Sequence, residues 1–159
     1  DGIDFVNILK REFPNLEVNV VAKGQGAAIG IVVSAVGESV DRLFISNVQN
    51  FDFKYIFDND LDVGVYDGIR EYARNYPKRE DYLLTRLKEI DVLKYAERVD
   101  VKVYLGYSNL DEKNIILNRK LESVFKRSEV TIFECEEDNL HVKLLEKWLK
   151  NSMELNVDK

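Results

Sequence analysis

Apolar positions along the chain follow two patterns, short unbroken runs and stripes spaced three or four residues apart. The runs fall at residues 18–22 (Val18, Val20, Val21, Ala22), 42–46, 101–107 and 130–135. Short apolar runs of β-branched character predict strands covered on both faces. The stripes predict helices. Phe5, Ile8, Leu9 and Phe13 give residues 3–13 one apolar face, which Pro14-Asn15 ends. Val65, Ile69, Tyr72 and Tyr76 do the same ahead of Pro77, as do Tyr82, Leu83, Leu87 and Ile90 over residues 79–90. A short turn-helix over residues 91–96 leads to the third strand. Ile115, Ile116, Leu121, Val124 and Phe125 mark a helix over 112–127, and Leu140, Leu144, Leu145 and Trp148 the last one, over 139–149. Residues 27–36 are apolar in almost every position, the pattern of a helix buried all round. Strand, helix, strand, helical excursion, strand, helix, strand, helix predicts an α/β fold with a parallel sheet of about four strands and flanking helices. Residues 1–150 are expected to form one domain. From 151 to 159 the pattern is lost, and a fraying tail is expected.

The most informative junction is the first strand-to-helix turn, Ala22-Lys23-Gly24-Gln25-Gly26. Glycines let the backbone turn sharply and pack closely where a helix begins. Gly24, Gly26 and Gly30 form a GxGxxxG pattern, one route to a dinucleotide-binding turn. That route needs an acidic residue at the end of the following strand, where Asn47 stands; Asp41 lies at the strand's start. The other route is a nucleophile elbow, GxSxG, which exposes a serine above a parallel sheet. This turn fits that frame with Gly24 in the serine slot. A plain strand-to-helix turn accounts for the same five residues. Gly37-Glu38-Ser39 opens like a second elbow, but Asp41 replaces its closing glycine and a strand follows, so Ser39 reads as a turn residue.

Composition narrows the chemistry. A net charge of −6 argues against a surface that tracks phosphates, and Lys78-Arg79 is answered at once by Glu80-Asp81. One cysteine, Cys135, and one histidine, His141, supply neither an intrachain disulfide nor a thiolate metal site, and no cofactor or metal is expected. No apolar run reaches membrane length and no signal peptide stands at the start, so a cytoplasmic chain that binds neither nucleic acid nor membrane is expected. The aromatic cluster Phe51, Phe53, Tyr55 and Phe57 suits either a pocket wall or a core.

The order of landmarks resembles the C-terminal half of the acetyl xylan esterase/cephalosporin C deacetylase family of α/β-hydrolases. Its elbow, G-G-S-Q-G-G, is similar to Lys23-Gly24-Gln25-Gly26-Ala27 without the serine. Its F-D-x-x-N-L-A-x-R-I stretch is similar to residues 90–99, and its V-G-L-M-D to Leu105-Gly106-Tyr107-Ser108-Asn109. The resemblance covers almost the whole chain. It implies that Gly24 occupies the nucleophile slot, that Asn109 occupies the acid slot with Asp111 two residues on, and that the Gln25 backbone N–H is an oxyanion donor. The base slot falls on Asp138, with His141 three residues later as the candidate base.

A chain without the attacking group implies a hydrolase relative that has lost catalysis and serves as a binding or structural part of a larger or oligomeric protein. Its expected ligand is an acylated sugar or small ester. The alternatives are an active acetyl esterase with a displaced nucleophile, Ser39, Ser46 or Ser108, and a nucleotide-binding domain using Gly24, Gly26 and Gly30. Four strands side by side in chain order leave strand 18–22 at an edge despite its apolar character. A homodimer, or docking with an N-terminal half, is therefore expected.

Overall fold

The computed structural model describes residues 1–59, 61, 66–109 and 112–157, with the side chains of 135, 137, 138 and 154–157 outside the description. Among these residues four strands, β1 Asn19–Lys23, β2 Arg42–Ser46, β3 Lys102–Ser108 and β4 Val130–Cys135, form one parallel sheet in the order β1-β2-β3-β4. Eight α-helices connect and flank them: α1 Gly2–Glu12, α2 Gln25–Val36, α3 Phe53–Asp58, α4 Asp67–Asn75, α5 Glu80–Ile90, α6 Leu93–Ala96, α7 Glu112–Val124 and α8 Glu137–Val157. A 3₁₀ turn, Pro77–Arg79, joins α4 to α5. The expected four-stranded α/β fold is the one observed. The segment 53–58, within the aromatic cluster read from sequence as a pocket wall or a core, forms the short helix α3, with Phe53 and Ile56 in the core.

Alternation along each strand sends its side chains to two layers. Leu43, Ile45, Val103, Leu105 and Tyr107 join the large core beneath α2, α6 and α7, with Val20 and Ala22 packed against it. Phe44, Tyr104 and Phe133 point the other way, onto Leu140 and Leu144 of α8, with Val21 and Trp148 at the margin. Phe44 and Tyr104 stack with ring centroids 4.4 Å apart and planes 3° from parallel. Phe133 lies across Gly106, where any Cβ would come within 2.3 Å of its ring. Glycine at 106 is what lets that ring lie flat on β3.

Three expectations change on folding. Helix α1 docks through Val6, against Val33 and Val40, and leaves Phe5, Ile8 and Phe13 exposed, so most of the stripe read as its buried face lies open. Helix α2 is not buried all round, since Ile29 and Val36 remain exposed. The tail expected to fray continues α8 to Val157. Polar bonds tie its added turns: Tyr104 donates its hydroxyl to Asn151 Oδ1, Asn151 Nδ2 donates to Lys147 O (2.8 Å), and Ser152 Oγ donates to Trp148 O (2.9 Å). Val65 lies outside the described residues.

Candidate functional site: the cleft over the strand ends

Strand β1 passes into α2 at Gly24, whose backbone sits at φ 59°, ψ −125°. That is the first central position of a type II′ turn, open to glycine and strained for any other residue. Three bonds hold the apex: Gly24 N–H donates to Ser46 O (2.9 Å), and Gly24 O accepts from Ala28 N–H and Gln49 N–H (both 3.3 Å). Gln25 and Gly26 open α2 with N–H groups that find no acceptor among the described residues, as the first turn of a helix dictates. A Cβ on Gly24 would stand 3.5 Å from Gln49 Nε2 and 3.6 Å from its Cδ. The Gln49 carboxamide therefore lies over the position from which a nucleophile would project.

Gln49 arrives there on an unusual loop. Asn47, Asn50 and Asp52 all have positive φ (46°, 62° and 46°), a conformation that Asn and Asp tolerate better than other side chains. The strain is held from outside. Asn50 N–H donates to Tyr66 Oη (2.6 Å), Val92 N–H donates to Asn50 O (3.0 Å), and Asp52 N–H donates to Asp91 Oδ2 (2.8 Å). The buried Asp52 carboxylate accepts from Lys120 Nζ. Burial pushes the Tyr66 hydroxyl above its ordinary pKa. Burial likewise raises the Asp91 carboxyl, against the N–H groups of Leu93 and Asp52 that bond its charged form.

These elements enclose a cleft of about 220 Å³ over the carboxyl ends of β1, β2 and β3, the usual place for ligands on an open parallel sheet. Lys23, Gly24, Gln49, Tyr66, Ser108 and Asn118 are among its lining residues. Asn118 is buried, at 7% exposure; its Nδ2 donates to Asn114 O (2.8 Å) and its Oδ1 has no partner among the described residues. No group of three metal-ligating side chains occurs among the described residues. No described helix is long and apolar enough to cross a membrane.

The sequence-derived site residues separate here. Gly24 and Ser108 line the cleft, and Gln25 follows the apex directly. Asn109 comes just after β3, exposed and outside the cleft lining. His141 stands exposed on the second turn of α8, also outside that lining. Ser39 lies in the α2–β2 connection, at the opposite end of the sheet from the elbow, and donates to Asn7 Oδ1 (2.7 Å). Ser46 ends β2 fully buried, its hydroxyl without a partner among the described residues. Asp111 and the Asp138 side chain lie outside the described residues. For the nucleotide reading, β2 ends at Ser46-Asn47 without a carboxylate; Asp41, before β2, instead accepts from Val18 N–H and Lys10 Nζ (both 2.7 Å). Sequence reasoning missed Lys23, Gln49, Tyr66 and Asn118 as cleft residues. The aromatic segment around Phe51, which does line the cleft, was one signal, and the cluster Asn47, Asn50 and Asp52 another, since such residues mark left-handed turns.

A parallel sheet in chain order, entered through a positive-φ glycine elbow and open at its strand ends, has the arrangement of the second half of an α/β-hydrolase-type fold. Comparison with known proteins gives the family. The sequence profile described as Acetyl xylan esterase (AXE1) matches residues 6–115, and the chain belongs to that family. An acetyl xylan esterase from Paenibacillus sp. R4 superposes with TM-score 0.73 at 13% identity, over 95% of this chain and 51% of its own. Acetyl xylan esterase 1 from Thermoanaerobacterium sp. JW/SL YS485 gives 0.71 at 19%, over 91% and 51%. An esterase from Pyrococcus furiosus gives 0.59 at 15%, over 94% and 57%. At such identities the likeness is one of fold, and the chain spans about half the length of the acetyl xylan esterases it matches. No curated protein sequence matches it.

Proposed function

We propose that this chain is an acetyl xylan esterase relative that binds a small acyl compound, an acylated sugar or simple ester, without hydrolysing it. Gly24 carries the reading. Acyl transfer begins with an attacking group at the elbow, and a hydrogen there cannot attack. The other features of the site agree. Gln49 lies in contact above Gly24, and the acid-slot residue Asn109 and the candidate base His141 lie outside the cleft lining. An Asn at 109 would orient an imidazole but leave an imidazolium without a counter-charge. What remains is the binding half of the chemistry: the Gln25 N–H and a cleft with amides and an aromatic wall. The test is hydrolysis of short-chain chromogenic acetate esters, expected at background. Gly24→Ser alone should stay silent. Gly24→Ser with Asn109→Asp should label with a fluorophosphonate probe more than either single change, and equal labelling of all three would refute the slot assignment.

One observation favours a second reading. Ser108 lines the same cleft at the end of β3. If Ser108 is a displaced nucleophile, turnover is measurable and Ser108→Ala abolishes it.

The same reading assigns a partner to the open edge. Strand β1 has β2 on one side only, and Phe5, Ile8, Leu16 and Ile29 are exposed on the elements around it. Exposed apolar side chains beside an unpaired strand edge are features of interaction surfaces. The proposed occupant of the edge is a second copy of this chain, or an N-terminal half of the same hydrolase type.

A further inference from the structure

We propose that Gln49 is the residue by which the elbow cleft recognises its ligand, an ester that keeps a hydroxyl beside its acyl group. The carboxamide that lies over Gly24 donates to the acyl carbonyl and accepts from that hydroxyl. The proposal rests on the cleft being the acyl-binding site of a non-hydrolytic domain, and it assigns the residue and the ligand feature that decide binding there.

Position comes first. Gln49 N–H donates to Gly24 O (3.3 Å), which fixes the residue against the elbow. Its Nε2, Cδ and Oε1 lie 3.5, 3.6 and 3.8 Å from the point where a Cβ on Gly24 would stand. Distances so nearly equal turn the face of the amide toward the apex, so neither polar end is directed at Gly24. The side chain lines the cleft half-buried, yet neither end of its carboxamide has a partner among the described residues. The loop that carries it holds positive φ at Asn47, Asn50 and Asp52. Strain of that kind persists where the surroundings over-determine it, and it gathers at ligand sites. Here Tyr66, Asp91, Val92 and Lys120 supply the outside bonds. The carboxamide of Gln49 is not among them, so holding the loop does not account for it.

A carboxamide sets a donor beside an acceptor, and exchanging its nitrogen and oxygen leaves that pairing intact. A simple ester meets only the donor. An ester with a hydroxyl on the neighbouring carbon, as in a partly acylated polyol, meets both. A volume of about 220 Å³, below the roughly 300–1,000 Å³ of drug-sized sites, limits the ligand to one such unit.

Ethylene glycol monoacetate, the methyl ether of that ester, ethylene glycol and acetate separate these requirements. Each is titrated into the full chain, followed by the side-chain amide resonances of its two glutamines, Gln25 and Gln49. The monoacetate should saturate and move the Gln49 pair. The methyl ether, which cannot donate, and ethylene glycol, which has no acyl group, should each bind about tenfold more weakly, the size of one hydrogen bond. Acetate should bind no better than either. Gln49→Leu should erase the preference for the monoacetate over its methyl ether and leave the thermal midpoint unchanged, because the carboxamide bonds no described residue. If Gln49→Leu fails to fold, the Gln49 shift and the hydroxyl preference of the unaltered chain decide. The proposal is overturned if the monoacetate does not saturate, if the Gln49 pair stays still, or if any of the other three probes binds as tightly. A folded Gln49→Leu that keeps the preference overturns it too. Release of acetate from the monoacetate would instead sink the non-hydrolytic reading and leave the hydroxyl preference measurable.

Discussion

A side chain added at Gly24 meets space but not a comfortable backbone. Gln49 at 3.5 Å is an ordinary contact, whereas φ 59° with ψ −125° disfavours every L-residue. Gly24→Ala should therefore cost about 1–3 kcal/mol, as a lower denaturant midpoint with an unchanged slope. Gly106 is the opposite case, an ordinary backbone with no space. Gly106→Ala drives a methyl toward the Phe133 ring and should cost about 1–3 kcal/mol by overpacking. Combined with Phe133→Leu, the loss should fall short of the two single losses added together, because both changes act on one contact. Asp91 gives a pH signature. Burial raises its pKa above the ordinary 3.8, so the folded state favours the protonated carboxyl. Its contribution is full below the unfolded pKa and is lost as pH rises through the folded one. Asp91→Asn removes that dependence, so the stability of Asp91→Asn relative to the unaltered chain should improve with pH, beginning near 3.8. Thermal melts across that interval check the sign, with Asp52 and Lys120 left intact.

At the scale of elements, α8 shows how burial decides the weight of a stripe. Leu144 is completely buried against Phe44, Tyr104 and Phe133, and Leu149 on the same helix is 49% exposed. Leu144→Ala should cost about 2–5 kcal/mol. Leu149→Ala should stay within about 0.5 kcal/mol, the usual range for surface positions. Urea denaturation of the two variants makes the comparison. The helix also shows where pattern reading stopped short. Apolar spacing ends near Trp148, yet α8 continues because Asn151 and Ser152 exchange bonds with Tyr104, Lys147 and Trp148. Helix α1 shows the reverse. Its stripe of Phe5, Ile8 and Phe13 was plain in the sequence, but Val6 is the residue its neighbours bury.

Over the whole molecule the sheet is unevenly covered and open at β1. Gly24 N–H and Val18 O both bond toward the β2 side, so the intervening odd positions, Asn19, Val21 and Lys23, turn their N–H and C=O groups to the free edge. An apolar edge of that kind pairs with another strand unless charge, bulge or proline prevents it. The chain should self-associate through β1 in light scattering. Val21→Pro, which removes an outward donor, should yield a folded monomer. Val20 is unsuitable for this test because its side chain packs toward α2 and the core. A monodisperse monomer from the unaltered chain would refute pairing with a second copy.

The sequence by itself determined the α/β class, the four strands, the elbow at Gly24 and the family resemblance, and the resemblance implied their order in the sheet. Those depend on local periodicity and on short glycine-punctuated motifs, which neighbouring residues write directly. Tertiary structure alone decided which apolar stripes are covered, because α1 and α2 each present more apolar surface than their neighbours can meet. It also decided the lining of the cleft. Lys23, Gln49, Ser108 and Asn118 come from four separate segments, and only the parallel register of β1, β2 and β3 gathers them at one end of the sheet.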